Sequence, residues 1–179
     1  AHPHIVGGKL AIVHNGIIEN YRELKVRLID QNFTSETDTE VLAKWIYQHY
    51  KGDLAQAVKD ALPEVRGTYG LVVMHSDHPD KLIAARLGSP LTVGIGEGEY
   101  YIASDVTPML PFTKRVTFLD DGEIAVINGE GLKIFNLRNE IVDKQVTQID
   151  WDQAKAQKGG FEHFMLKEIF DQPTVFEDA

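Results

Sequence analysis

The first residues whose types and spacing suggest chemistry are Asn15 and Gly16, which follow an apolar run from Leu10 to Val13. In isolation, an Asn-Gly pair is typical of a type I′ hairpin turn. The residues after this pair favour the start of a helix, so we predict that it lies in a loop between a strand and a helix. In such a loop the Asn amide and the Gly N–H can point at one small anion, as the donors of an oxyanion hole do.

Asp38 is the second candidate, within the sequence Thr37-Asp38-Thr39-Glu40. This sequence matches a capping box, in which Thr37 accepts a hydrogen bond from the Glu40 N–H and the Glu40 side chain returns to the Thr37 N–H. An acidic residue in a first turn often only complements the helix dipole, and its position alone favours that interpretation. The alternative is that Asp38 anchors the ammonium group of a substrate.

Histidines form the third group of candidates. His2 and His4 would share one face of a strand and could bind a metal ion, but no convincing third ligand accompanies them. We therefore predict no metal site, and a metal-dependent hydrolase that uses His2, His4 and a carboxylate remains an alternative. His75 and His78 flank a predicted turn and are expected to be solvated. The glycine-rich stretch 94–98 lacks the Lys and the following helix of a phosphate-binding loop, and no cofactor is predicted.

The elements that must position these residues change in type along the chain. Helical periodicity predicts helices that begin near Asn20, Thr37 and Asp53. Asn20 is expected to cap the first of them with its side chain. Beyond residue 67, short apolar runs separated by Gly, Pro and Asp predict strands, and a last helix is expected at 161–170. Early helices followed by antiparallel strands indicate an α+β domain.

Strand boundaries follow from the apolar runs and the turns between them. The predicted strands are 9–14, 68–75, 81–86, 91–95, 99–103, 116–119, 123–127, 132–136 and 141–147. Two Gly-containing pairs, Asp121-Gly122 and Asn128-Gly129, have the composition of hairpin turns. Both are therefore expected to connect strands that are neighbours in one sheet.

The composition indicates a globular domain. The chain has 179 residues, of which 43% are hydrophobic and 25% charged, and a formal net charge of -9. This charge argues against a nucleic-acid partner and against docking on an anionic membrane. No apolar run approaches the roughly 20 residues that span a bilayer. The chain contains no cysteine, so these residues supply no thiol nucleophile, and a cytoplasmic location is expected.

Several segments, in this order, resemble class II glutamine amidotransferases and the glucosamine-6-phosphate synthase family in particular. They are His14-Asn15-Gly16-Ile17-Ile18-Glu19-Asn20, Ser35-Glu36-Thr37-Asp38-Thr39-Glu40, Arg66-Gly67-Thr68-Tyr69-Gly70, Ser89-Pro90-Leu91, Ala103-Ser104-Asp105 and His163-Phe164-Met165-Leu166-Lys167-Glu168-Ile169. The resemblance covers nearly the whole chain. It implies an N-terminal-nucleophile hydrolase fold, a four-layer αββα sandwich of antiparallel sheets that is truncated at its N-terminus. Residues 1–172 would form this partial domain, and 173–179 the start of a linker.

The resemblance also implies roles for four residues. The side chain of Asn15 and the N–H of Gly16 would stabilise the oxyanion formed from the side-chain amide of glutamine. Asp38 would pair with the α-ammonium group of glutamine, and His2 would line the pocket. The family's nucleophile is an amino-terminal cysteine, which these residues lack, so the fragment is expected to be inactive. The absence of the family's opening strand is expected to leave a sheet edge exposed.

The implied function is hydrolysis of glutamine to supply ammonia for the synthesis of glucosamine 6-phosphate from fructose 6-phosphate. Fructose 6-phosphate would bind to a sugar isomerase domain outside this chain, in an enzyme that is a homo-oligomer. Two other interpretations remain. The chain could be a catalytically dead module that binds glutamine or docks on a partner, or the glutaminase domain of another class II amidotransferase.

Overall fold

The computed structural model describes residues 2–30 and 32–149. In chain order, its strands are His4–Val6 (β1), Leu10–Ile18 (β2), Gly67–His75 (β3), His78–Leu87 (β4), Thr92–Ile95 (β5), Tyr100–Ala103 (β6), Arg115–Phe118 (β7), Ile124–Asn128 (β8), Gly131–Phe135 (β9) and Thr147–Gln148 (β10). Its α-helices are Tyr21–Arg27 (α1), Asp38–His49 (α2) and Leu54–Ala61 (α3). Short 3-10 helices occur at Leu62–Glu64 and Thr107–Met109.

The strands form two antiparallel sheets. The larger sheet has the order β1-β2-β3-β4-β8-β9, and the smaller has the order β10-β7-β5-β6. All three helices come before β3 in the chain. The predicted α+β class is therefore confirmed, with helices grouped early and antiparallel strands later.

The core lies in layers on either side of the larger sheet. On one face, the helices pack against the sheet around Trp45, which is buried and donates its Nε1–H to the carbonyl of Ala61 at 3.1 Å. On the other face, Ala84 and Ala125 of the larger sheet pack with Val93 of the smaller one. The described residues thus form three layers in the order helices, larger sheet, smaller sheet, which confirms the packed antiparallel sheets of the predicted sandwich. The second helical layer of the predicted αββα arrangement is not among the described residues. The predicted last helix, 161–170, lies outside the described residues.

All three α-helices begin where the sequence predicts, but only two of them have a side-chain cap. Asp53 caps α3 by accepting hydrogen bonds from the N–H groups of Ala55 and Gln56, and Thr37 caps α2. The prediction for Asn20 was wrong, because its side chain makes no capping hydrogen bond. It is buried instead, donating to the carbonyl of Glu64 and accepting from the N–H of Arg66, both at 2.9 Å. These long-range bonds satisfy both ends of the amide, which leaves none for the helix.

Two strand predictions were wrong for reasons that lie in the packing. Asp121-Gly122 is not a hairpin turn, because β7 belongs to the smaller sheet and β8 to the larger. The turn therefore carries the chain between layers. The predicted strand 141–147 is reduced to one bridge from Ile141 to Phe135 and to β10. By contrast, Asn128-Gly129 does lie in a hairpin, which joins β8 to β9.

Part of the larger sheet is uncovered on the face that turns away from the helices. Val13 and Ile17 of β2 and Met74 of β3 are 40%, 68% and 48% exposed, respectively. β1 pairs with β2 only at its first residues, from Leu10 to Ile12. The expected exposed edge is therefore present along the second half of β2, within the part of the chain that the structure describes.

No helix among the described residues is long and apolar enough to cross a membrane.

Candidate active site

Asn15 and Gly16 lie inside β2 and not in the predicted loop. They pair with Gly70 and Tyr69 of β3, and the strand continues to Ile18. Neither Asn nor Gly favours a strand, which explains the early end that the sequence predicts. Pairing with the full length of β3 overrides this local preference.

Gly16 has a backbone conformation that excludes a side chain. Its φ angle is +136°, and a Cβ atom at this position would lie 2.1 Å from the carbonyl oxygen of Thr68. Gly67 on the paired strand is constrained in the same way, with φ of +123° and the carbonyl oxygen of Ile17 at 2.1 Å from its Cβ position. At both positions a Cβ atom would point into the backbone of the paired strand, so glycine is required on both.

Hydrogen bonds around Ile18 show which way the Gly16 N–H points. Successive N–H groups of a strand face opposite edges. The N–H of Ile17 faces β3 and donates to the hydroxyl of Thr68 at 3.2 Å. The N–H of Ile18 faces the other edge and donates to Oδ2 of Asp38 at 2.7 Å. By this alternation, the N–H of Gly16, two residues before Ile18, is expected at the same edge as the Asp38 carboxylate.

This edge of β2 is open next to Gly16. β1 pairs with it only as far as Ile12, and no other strand of the described part of the chain pairs with it. Asp38 is half-buried, and its Oδ1 atom accepts no hydrogen bond from residues 2–30 or 32–149. A carboxylate oxygen with no donor among the described residues therefore lies at this open edge, where the Gly16 N–H is also expected. The side chain of Asn15 is exposed and lies on the sheet face that turns away from the helices.

His14 is a residue of this site to which the sequence assigned no role. It is 5% exposed, and its ring contacts the hydroxyl of Thr39 through Nδ1 at 3.0 Å and the carbonyl of Thr68 through Nε2 at 3.3 Å. The carbonyl can only accept, so Nε2 carries the proton and Nδ1 accepts from Thr39. His14 thereby ties β2 to both α2 and β3. The available signal in the sequence was a histidine at the end of an apolar run, directly before Asn15.

His2 and His4 lie beside this edge. The two rings are 5.6 Å apart at an interplanar angle of 75°, and Nε2 of His4 is 3.4 Å from the hydroxyl of Thr37. Burial lowers the pKa of His4, and the nearby charge of His2 adds to this effect. In the described residues, no group of three His, Cys, Asp or Glu side chains is placed to hold a metal ion.

The first turn of α2 follows only half of the predicted capping box. Thr37 accepts from the N–H of Glu40 at 3.3 Å, as predicted. The Glu40 carboxylate does not return to the Thr37 N–H, and it bonds to Thr34 and Ser35 instead. Thr34 and Ser35, which precede the helix, occupy the carboxylate of Glu40. The Thr37 N–H therefore donates to the hydroxyl of Ser35 instead.

Ser89 is closer to the site than the sequence indicates. Its segment, Ser89-Pro90-Leu91, is one of those that carry the family resemblance, and the sequence assigned it no role in the site. Its hydroxyl oxygen lies 3.1 Å from the position that a Gly16 Cβ would occupy, and its Cβ lies 3.7 Å from that of Gly70. Ser89 therefore lies beside Gly16 and Gly70.

The expectation that His75 is solvated was wrong. It is 1% exposed and stacks on Tyr50 with ring centroids 4.1 Å apart. Its Nδ1 accepts from the N–H of Asp77 at 3.1 Å, and its Nε2 has no partner in the described part of the chain. Burial lowers the pKa of His75, against an opposing effect of the Asp77 carboxylate. His78 is half-buried and bonds to the hydroxyl of Tyr50 at 2.9 Å.

Two buried histidines are expected to make the stability of the chain depend on pH. Burial lowers the pKa of His14 as well, although the Thr68 carbonyl and Asp38 oppose this. Both rings are neutral in the fold, whereas in the unfolded chain they take up a proton below about pH 6.5. The free energy of unfolding should therefore fall as the pH falls from 6.5, by up to about 1.4 kcal/mol per pH unit for each ring.

Urea unfolding at pH 7.5, 6.0 and 5.0 tests this prediction. The variant His75→Gln removes one of the two titrating groups and should show a shallower decline than the parent chain. A free energy of unfolding that stays constant from pH 7.5 to 5.0 would contradict the account.

Comparison with solved structures identifies the class of protein that this fold and site define. The Bacillus subtilis structure described as glutamine phosphoribosylpyrophosphate amidotransferase complexed with ADP and GMP has a TM-score of 0.63 and 29% sequence identity. The match covers 78% of this chain and 31% of that one. The fold is that of an N-terminal-nucleophile amidotransferase, with two packed antiparallel sheets and a helical layer.

The family follows from the sequence matches. The sequence model of the family described as the glutamine amidotransferase domain matches residues 2–111. The chain therefore belongs to this family. It is 50% identical over 182 residues to glutamine–fructose-6-phosphate aminotransferase [isomerizing] of Thermus thermophilus, and 48% identical to the protein of the same name from Aquifex aeolicus. Each match covers 100% of this chain but only 30% and 31% of those proteins. The chain thus spans less than a third of their length.

Proposed function

We propose that this chain is the glutamine-binding and glutamine-hydrolysing portion of a glutamine–fructose-6-phosphate aminotransferase. The observation that supports the proposal is the 2.7 Å hydrogen bond from the Ile18 N–H to Asp38, because it holds a carboxylate at the open edge where the Gly16 N–H is expected. An amino acid with an amide side chain presents a cation at one end and a carbonyl oxygen at the other. The Asp38 carboxylate matches the cation, and the Gly16 N–H matches the carbonyl oxygen.

Each residue has a distinct role in this proposal. Oδ1 of Asp38 receives the α-ammonium group of glutamine, while the Ile18 N–H fixes the orientation of the carboxylate. The Gly16 N–H and the Asn15 side-chain amide donate hydrogen bonds to the oxyanion that forms when the glutamine amide carbon becomes tetrahedral. Each donor of this kind typically contributes 10²–10³-fold to the rate. His2 lines the ammonium side of the pocket.

The nucleophile of the reaction would come from outside these 179 residues, which contain no cysteine. The resemblance to the family points to an amino-terminal cysteine whose own amino group serves as base. The open edge of β2 and the exposed side chains of Val13, Ile17 and Met74 support this proposal, because they offer an unpaired strand and an apolar face for an additional segment.

These 179 residues alone are therefore expected to show no glutaminase turnover above a small residual level. An oxyanion hole without a nucleophile can assist only direct attack by water, which is far slower than a covalent route. Ammonia release from L-glutamine, followed with a coupled assay, tests this expectation. Turnover at rates typical of cysteine-dependent enzymes would contradict the proposed source of the nucleophile.

Binding of glutamine can be tested separately from its hydrolysis. L-Glutamine titrated into the labelled chain should shift the amide resonances of Gly16 and Ile18, and glycine, which lacks the side-chain amide, should shift Ile18 alone. Saturating L-glutamine without a shift at either amide would argue against the site.

The acceptor of the ammonia is a further part of the proposal. Identities of 50% and 48% over the full chain support fructose 6-phosphate, because the relatives carry that acceptor in their names. It would bind to a sugar isomerase domain beyond the linker proposed at 173–179. The same resemblance supports a homo-oligomeric enzyme of the cytoplasm. A longer protein that carries this chain should form glucosamine 6-phosphate from L-glutamine and fructose 6-phosphate.

A further inference from the structure

Glu40 is a buried carboxylate for which the proposed chemistry has no use. It lies two residues after Asp38 and is 5% exposed. Burial opposes its ionisation, but hydrogen bonds from Ser35 and Thr34 outweigh this effect and hold the pKa of the carboxyl below its usual value. A buried charge is costly unless hydrogen bonds satisfy it, so its presence here needs an explanation.

Four hydrogen bonds from one segment converge on this carboxylate. Oε1 accepts from the N–H and the hydroxyl of Thr34 at 2.8 and 3.1 Å. Oε2 accepts from the N–H and the hydroxyl of Ser35, both at 2.6 Å. Bonds to a charged acceptor are stronger than neutral ones. Both oxygens are thus used to fasten the chain that leads into α2.

The fastened segment continues to Asp38 through the cap of α2. The hydroxyl of Ser35 is also 2.9 Å from the hydroxyl of Thr37, which caps the helix and lies 3.4 Å from Nε2 of His4. The next residue is Asp38, bound to Ile18, and the one after it is Thr39, bound to His14. Each of the four side chains from Thr37 to Glu40 therefore binds a different segment around the site.

We propose that Glu40 is a positioning residue for glutamine, which fixes the Thr34–Thr37 segment on the first turn of α2 and so holds Asp38 in the orientation that receives the ammonium group. This inference rests on the proposed function, since it assigns a second residue to the same site. Glu40 touches no substrate and acts only through Asp38. It should therefore affect the binding of glutamine.

The variant Glu40→Gln separates this role from simple stabilisation. The amide keeps the size of the side chain, but it has only one acceptor oxygen. Whichever carboxylate oxygen the NH₂ group replaces, the N–H of Thr34 or that of Ser35 loses its acceptor, so the segment is released. We expect the dissociation constant for L-glutamine, measured by calorimetric titration of the chain, to rise about tenfold. Amide hydrogen exchange at Ile18 should quicken by a similar factor, because its acceptor Asp38 is no longer held.

Two control variants accompany this measurement. Glu36→Gln removes a carboxylate from the same segment, but Glu36 is exposed, and the variant should change neither quantity. Val58→Ala removes buried volume from α3, where Val58 is fully buried. It should lower the melting temperature and leave glutamine binding intact. If Val58→Ala weakens glutamine binding as much as Glu40→Gln does, Glu40 contributes only to general stability, and the proposal is overturned.

The exchange at Ile18 decides the outcome independently of glutamine. If the parent chain binds no glutamine, the proposed function fails, and unchanged Ile18 exchange in Glu40→Gln would then overturn the positioning role as well. If the parent chain binds and Glu40→Gln binds equally well, the positioning role alone is overturned. A tenfold weaker affinity together with faster Ile18 exchange supports both.

Discussion

Replacing Gly16 with alanine is expected to lower the free energy of unfolding by at least about 4 kcal/mol, within the range reserved for the most damaging single substitutions. Two effects add. The φ angle of +136° is unfavourable for any residue with a Cβ atom, and that atom would lie 2.1 Å from the carbonyl oxygen of Thr68. The obstacle is backbone on a paired strand, so it cannot move aside without breaking the pairing of β2 with β3.

Gly52→Ala is the matched control for this substitution. Gly52 also has a positive φ angle, +100°, but no atom lies within 4 Å of its Cβ position. Alanine there should cost only the conformational part, about 1–2 kcal/mol. Chemical denaturation of both variants, compared with the parent chain, gives the steric part as the difference. Equal losses at the two positions would mean that the close approach of Thr68 to Gly16 has no energetic consequence.

Replacing Asp38 with asparagine is expected to weaken the binding of L-glutamine by roughly 10²–10³-fold. Removing one partner of a buried charge pair typically costs 2–5 kcal/mol, and each 1.4 kcal/mol is a factor of ten in affinity. Asparagine has the same shape, and its side-chain oxygen can still accept from the Ile18 N–H, so the fold should survive. The effect is therefore assigned to the lost charge.

Calorimetric titration with L-glutamine measures this change, and circular dichroism checks that the variant is folded. Glu36→Gln, two residues away and exposed, controls for the loss of one negative charge in the same region. A folded Asp38→Asn variant with the affinity of the parent chain would remove Asp38 from the site. A variant that fails to fold would show that the bond to Ile18 needs the charge, and Asp38→Glu would then serve as the second test.

The local signals of the sequence were reliable where one element decides its own start. Thr37 caps its helix as predicted, and the helix predicted to begin at Asp53 does so with that side chain as its cap, since a capping side chain needs only the N–H groups of the next turn. They failed where a distant segment competes for the same side chain. Asn is a common capping residue, yet the side chain of Asn20 bonds to Glu64 and Arg66, more than forty residues away in the chain.

The candidate residues were predicted from their types and order, but their geometry was not. Asn15 and Gly16 were expected in a loop because neither favours a strand. Their place inside β2 depends on pairing with Gly70 and Tyr69, and the sequence does not show that register. The same pairing leaves the other edge of β2 to Asp38, which accepts from the Ile18 N–H.

The sequence by itself determined the α+β class, the early helices, the family resemblance and the residues Asn15, Gly16 and Asp38 as candidates. These depend on composition, periodicity and the order of short motifs, all of which are local properties of the chain. Only the tertiary structure decided that β2 continues through Asn15 and Gly16, that its outer edge is open, and that His14 and Glu40 are buried beside it. The reason is that strand pairing and burial join residues far apart in the chain, so that no local pattern records them.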